Sequence, residues 1–182
     1  MSRYRRSHAP GATYFFTVVT YRRQAILCDE PIRVALRNAI ADVRIKRPFT
    51  IDAWVLLPDH MHCIWTLPAG DADYATRWSM IKRLVSMTCG GEYLRPQWQN
   101  ESKRRHREST IWQRRYWEHQ IRDEEDFARH MDYVHYNPVK HGYCELVIAW
   151  PYSSFHRLVA RGVYAMDWGG AMQEIAEIQA GE

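Results

Sequence analysis

The sequence predicts an α+β fold: one antiparallel sheet with its helices on one face, plus a C-terminal helical extension. Three observations carry this. Four segments are rich in β-branched and aromatic residues, the composition of strands. Two long segments between them repeat apolar residues at helical spacing. The resulting order, β-α-β-β-α-β-α, is a split β-α-β arrangement.

Each element follows in turn. Residues 13–20 read Thr-Tyr-Phe-Phe-Thr-Val-Val-Thr, a strand opened by Pro10-Gly11. Residues 30–46 place Ile32, Leu36, Ile40 and Val43 on one helical face, with Asp29 as N-cap and Pro48 beyond the end. Residues 50–57 and 60–67 are two strands joined by the tight turn Pro58-Asp59, hence a hairpin. Residues 71–87 form a second helix, with Trp78, Ile81, Leu84 and Val85 aligned and Gly90-Gly91 ending it. Residues 92–110 are polar and basic, a loop or a broken helix. Residues 111–121 are a fourth strand. A helix capped by Asp123, with Glu125 and Asp126 in its first turn, runs to about Tyr136, where Pro138 stops it. A short helix over 153–161 ends at Gly162. The sheet resembles a ferredoxin-like fold.

A chain of 182 residues is long enough to bury a core, and 46% apolar residues exclude a disordered chain. One domain over 1–162 and an acidic tail over 163–182 are expected. Charge is unevenly spread. Residues 1–23 hold five arginines and no acid, residues 95–122 hold eight basic residues against three acidic, and residues 163–182 hold four acids and no base. Basic clusters interleaved with Tyr and Trp suit a polyanion; the plainer reading is solvated surface and a tail. Cys28, Cys63, Cys89 and Cys144 have no metal-ligand spacing, so reduced thiols and a cytoplasmic location are expected. No apolar run approaches 18 residues, so no membrane partner is expected.

Two short segments carry chemistry. The first is Pro58-Asp59-His60-Met61-His62-Cys63-Ile64-Trp65. Side chains alternate on a strand, so His60 and His62 share a face while Met61, Cys63 and Trp65 take the other. Two imidazoles on one face are a pair of metal ligands, though a lone His-x-His also occurs in strands by chance. The second is Tyr133-Val134-His135-Tyr136-Asn137-Pro138. Tyr133 and Asn137 stack one helical turn apart. Together they offer a hydroxyl nucleophile and an amide oxygen for a metal; separately, a core tyrosine and a helix-ending asparagine would explain them.

With these residues assembled, the chain resembles the REP-associated tyrosine transposases, single-tyrosine members of the HUH endonuclease superfamily. His60-Met61-His62 is similar to the motif of two histidines around a hydrophobic residue. Tyr133 to Pro138 is similar to the catalytic helix, where the nucleophile precedes a metal-contacting Asn or Gln by four residues; that spacing selects Tyr133 over Tyr136. The segments Arg3 to Thr20 and Ile111 to Trp117 also resemble this subfamily.

The resemblance implies that His60, His62 and Asn137 hold Mg²⁺ or Mn²⁺ and that Tyr133 attacks a phosphodiester. It implies a 5′-phosphotyrosine link with a free 3′-OH. The implied partner is single-stranded DNA carrying a hairpin, with REP-like palindromes, bound by a monomer or homodimer. Arg3, Arg5, Arg6, Arg22, Arg23, Arg114 and Arg115 are the expected DNA contacts. His119 and His135 stay open, either of them able to face solvent, and receive no catalytic role. Two alternatives stay open at this point: a palindrome-binding regulator without cutting activity, and a phosphodiesterase that uses water in place of Tyr133.

Overall fold

The computed structural model describes residues 8–169. Arg3, Arg5, Arg6 and residues 170–182 of the expected acidic tail lie outside them. Strands β1 (Thr13–Val19), β2 (Thr50–Leu56), β3 (His60–Thr66) and β4 (Trp117–Gln120) form one sheet in the order β2-β3-β1-β4, every neighbouring pair antiparallel. The helices are α1 (Glu30–Lys46), α2 (Tyr74–Tyr93), α3 (Glu101–Arg105), α4 (Glu124–Lys140) and α5 (Phe155–Ala160). The α+β class and the antiparallel sheet are as expected.

The helices, however, divide between both faces of the sheet. On one face Phe16, Val18, Met61 and Trp65 pack with Leu36 and Val43 of α1 and with Trp78 and Ile81 of α2. On the other face Phe15, Val55 and Ile64 pack with Met131, Tyr133 and Val134 of α4 and Leu158 of α5. The physical reason lies in β1 and β3, whose residues are buried on both sides of the sheet. Two apolar rows per strand need two covers.

Two helix ends also differ from expectation. Gly90-Gly91 does not stop α2, because neither glycine takes the left-handed conformation and the helix continues until Tyr93 is buried beside Cys89. Burial of those side chains offsets the roughly 1 kcal/mol that each helical glycine costs. Pro138 does not stop α4. Its missing N–H removes one helical bond, but the last turn closes through His141 N–H to the Asn137 carbonyl (3.0 Å) and Tyr143 N–H to the Pro138 carbonyl (2.9 Å). Asn137 therefore sits inside the helix.

The C-terminal segment ties the α4 face to the sheet edge. Tyr152 and Ser154 pair with the outer edge of β2, through Leu56 N–H to the Tyr152 carbonyl and Ser154 N–H to the Trp54 carbonyl (both 2.8 Å). Beyond α5, Tyr164 donates to Asp132 of α4 (2.6 Å), and Trp168 stacks near Tyr164 and Phe155. The start of the expected tail thus packs against α4 and α5.

His135 is buried, not solvent-facing. Its Nε2 lies 3.0 Å from Ser154 Oγ, and burial pushes its pKa down to about 4. The unfolded chain, with an ordinary value near 6.5, binds that proton first as the pH falls. His135 therefore favours the fold fully above about pH 7, and the contribution is lost between about pH 6.5 and 4, on the order of 3 kcal/mol. Urea unfolding at pH 7 and pH 4.5 checks this: His135→Leu should lose distinctly less stability between the two than wild type. An identical loss in both proteins would remove His135 as the cause.

Candidate active site

The site begins at the β2–β3 turn. His60 and His62 are both buried and face α4, while Met61, Cys63 and Trp65 face the α1–α2 core, the alternation the sequence predicts. Their rings lie 5.0 Å apart, edge to face. Each has a partner at Nδ1: Asp59 Oδ1 for His60 (2.7 Å) and Thr17 Oγ1 for His62 (2.9 Å). Thr17 can reach because it is paired directly with His62 across β1 and β3. Asp59 is held in place by Thr20, whose N–H and hydroxyl both donate to its carbonyl (2.9 Å each), and by Arg23 at 3.2 Å. Partial burial pushes the Asp59 carboxyl up, but the hydrogen bond and charge of His60, with Arg23 behind them, outweigh it. The net value falls below the usual carboxylate range.

Helix α4 lies across this pair. The Tyr133 ring meets His62 edge-on at 5.3 Å and Phe15 at 5.9 Å. Two turns further on, the His141 ring meets His60 at 5.2 Å. Tyr133, Asn137 and His141 recur every four residues and share a stripe of the helix. One end of the stripe meets His62 and the other meets His60, with Asn137 buried between. Lys140 completes the group: its Nζ donates to the Tyr133 hydroxyl (3.2 Å) and sits 4.8 Å from the ring. Tyr136 takes another side of the helix, where its ring approaches Trp168.

Lys140 and His141 have no place in the sequence reading, because a helix ending at Pro138 would not carry them onto this stripe. Asp59 and Thr17 were also missed. Asp59 could have been found as the residue next to His60 in the turn; Thr17 required the register of β1.

The donor chemistry fits a divalent cation. In both histidines Nδ1 is engaged by a carboxylate or hydroxyl, the arrangement that presents Nε2 to a metal. His60 Nε2 is buried and has no hydrogen-bond partner among the described residues. Two imidazoles with an amide oxygen suit Mn²⁺ at least as well as Mg²⁺.

A second group, His119, Asp126 and His130, brings its ligand atoms within 4.8 Å of one another and could also hold a metal. Its carboxylate is already crowded. Asp126 accepts from His119 Nε2 (2.8 Å) and from Arg122 N–H and Nε (3.1 and 3.3 Å), and His130 Nδ1 lies at 3.2 Å. Arg129 approaches at 3.5 Å. Burial pushes the Asp126 carboxyl up, but His119 and Arg122 outweigh it and hold it well below the usual range. Two guanidiniums beside the carboxylate compete with any added cation. The group's evident effect is to latch β4 to the first turns of α4. His119 is thus half-buried and hydrogen-bonded to Asp126.

The expected DNA-contacting arginines within the described residues are exposed. Arg22 and Arg23 take left-handed φ values of 58° and 55°, a strained conformation for residues with a side chain. The turn sends Arg23 to Asp59 and lays Arg22 over Trp98 at 5.2 Å. Lys103 covers the Tyr21 ring at 3.8 Å. Arg114 pairs with Glu108 and donates to Ser102.

Comparison with known proteins follows this geometry closely. A family model described as "Transposase IS200 like" matches residues 9–137, which span both histidines, Tyr133 and Asn137. A REP-associated tyrosine transposase of Escherichia coli (strain K12) is 45% identical over 182 residues, covering 100% of this chain and 98% of its own. A relative in Haemophilus influenzae is 44% identical over 170 residues, 93% of this chain and 94% of its own. A solved structure of a REP-associated tyrosine transposase bound to a REP hairpin matches with a TM-score of 0.83 at 45% identity, over 100% of this chain and 98% of that one.

The latch predicts a stability effect. Asp126→Ala leaves His119 and Arg122 without the carboxylate that they share beside buried His130, and should cost about 3 kcal/mol in urea unfolding at pH 7. A cost below about 1 kcal/mol would show that the latch is not what holds α4 to β4.

Proposed function

The chain belongs to the IS200-like transposase family, a tyrosine transposase and so a DNA-cleaving enzyme, and we propose on that premise that it cuts and rejoins single-stranded DNA at REP-type hairpins through Tyr133. The observation that carries this reading is the meeting of Tyr133 with His62 while the same helix reaches His60. The REP hairpin bound by the structural relative supports the choice of substrate.

The roles follow from the chemistry. His60, His62 and Asn137 would hold one divalent cation, Mg²⁺ or Mn²⁺. Bound there, the ion supplies positive charge to a non-bridging phosphate oxygen. Thr17 and Asp59 fix the orientation of the two rings. Tyr133 is the nucleophile: its hydroxyl oxygen forms a bond to phosphorus as the bond from phosphorus to O3′ breaks. The phenol proton leaves to solvent and the departing O3′ takes one up. The DNA is left joined to Tyr133 by its 5′-phosphate, with a free 3′-OH. That hydroxyl can attack the same phosphorus and release Tyr133, so strands rejoin without an external energy source. Lys140, donating to the phenol oxygen, offsets negative charge there and lowers the cost of presenting an oxygen nucleophile at neutral pH.

Incubation of the protein with labelled hairpin DNA and Mn²⁺, resolved on a denaturing gel, tests the reading. A covalent adduct is expected, absent in Tyr133→Phe and in His60→Ala and not formed when a chelator is present from the start. Cutting that persists in Tyr133→Phe would reassign the nucleophile to water. Binding with no cutting under any condition would favour a DNA-binding regulator.

Lys140→Met keeps the helix and loses the cation. Its adduct formation should slow by about 10- to 100-fold while hairpin affinity changes little. An equal loss in affinity would make Lys140 a binding residue instead.

A further inference from the structure

Away from the site just described, a cavity of about 570 Å³ opens at the β2 edge of the sheet, between α1, β2 and α5. Five arginines line it: Arg33, Arg37 and Arg44 from α1, with Arg157 and Arg161 from α5 and the turn that follows it. No acidic residue lines it. None of the five forms a salt bridge with a carboxylate among the described residues. The sequence reading placed no DNA contact here.

The guanidiniums are ordered in two facing rows. Arg33 and Arg37 are one turn apart on α1, and Arg44 continues the same stripe two turns on. Arg157 and Arg161 are again four residues apart. Each step of four residues is a rise of about 6 Å, comparable to the spacing of charges along one nucleic-acid strand. Three of the five are pre-positioned. Arg33 Nε donates to the Cys28 carbonyl (2.9 Å) while its guanidinium lies 4.6 Å from the Tyr152 ring. Arg44 Nε donates to the Phe49 carbonyl (2.9 Å). Arg157 donates to the Ile51 and Asp52 carbonyls (3.2 and 3.1 Å).

Five like charges, none held in a salt bridge and only Arg157 feeling a nearby carboxylate in Asp52, repel one another, a cost that a polyanion in the groove removes. The groove lies at the β2 edge of the sheet, with Leu36, Ile40 and Trp54 as its floor and α5 as one wall, and Tyr133, Asn137 and the two histidines are not among its lining residues. DNA lying here is therefore away from the scissile phosphate. We propose that this arginine-lined groove grips the phosphodiester backbone of the hairpin's double-stranded stem, holding the folded part of the substrate while the unpaired part reaches Tyr133. The inference rests on the hairpin-cleaving reading above.

The test uses the full chain and the double variant Arg37→Ala/Arg161→Ala. Both residues are exposed, and neither side chain makes a hydrogen bond among the described residues, so the melting temperature should match wild type. Fluorescence anisotropy then measures binding to a labelled hairpin with its unpaired flank, and to the same flank without a stem, across a salt series. Lys46→Ala, an exposed α1 cation outside the groove, is the control.

The hairpin should bind the double variant about 10-fold more weakly, with the slope of log affinity against log salt reduced by about two. The stemless flank should bind both proteins alike. Equal losses for hairpin and flank would assign the groove to single strand and overturn the proposal, as would unchanged hairpin affinity and slope. Wild-type adduct formation, run in parallel, keeps the two readings apart. If the adduct forms but the variant binds normally, the stem groove is wrong and cleavage stands; if binding depends on the arginines but no adduct forms, the reverse holds.

Discussion

The sheet face that carries His60 and His62 has to be covered, and α4 covers it. Phe15, Val55 and Ile64 on that face are withdrawn from water only when Met131, Tyr133 and Val134 dock. At roughly 2 kcal/mol per large apolar side chain buried, this docking contributes substantially to the stability of the fold. The same packing sets the distance from Tyr133 to His62. Core and site share one interface, so the position of Tyr133 is held by hydrophobic burial and does not depend on a mobile loop.

That arrangement places polar groups in an apolar seam, where each ring nitrogen lacking a partner is costly. Asp59 and Thr17 meet the cost at Nδ1 and turn both rings the same way. β1 is the common support. Thr17 orients His62, Thr20 anchors the Asp59 backbone, and Phe15 touches His62, His130 and Tyr133 with one ring. The Asp126 latch acts on the same helix from its other end. Together they fix α4 near its N-terminus, its middle and its C-terminus.

Much of this was legible in the residues. The α1 spacing marked the helix to its ends, because Asp29 at its N-cap and Pro48 beyond its last turn bound it. Strand alternation correctly put His60 and His62 together and Met61, Cys63 and Trp65 opposite. The four-residue step linked Tyr133 to Asn137. What escaped has physical reasons. Helical periodicity shows which side of a helix is apolar, not which face of the sheet it covers, so α4 was placed with α1 and α2. Pro138 looked like a stop because the loss of a single helical bond in the last turn cannot be priced from sequence. That hid Lys140 and His141. The arginine groove joins α1 and β2 to α5, about a hundred residues further along the chain, which the edge pairing at Tyr152 and Ser154 brings alongside.

Tyr133 meets the histidine pair within a single chain, on a helix bound to the sheet by its own core. Their encounter is therefore intramolecular, with an effective concentration set by the fold and not by how many molecules are present. Dilution leaves that contact intact, because both rings belong to the same folded core.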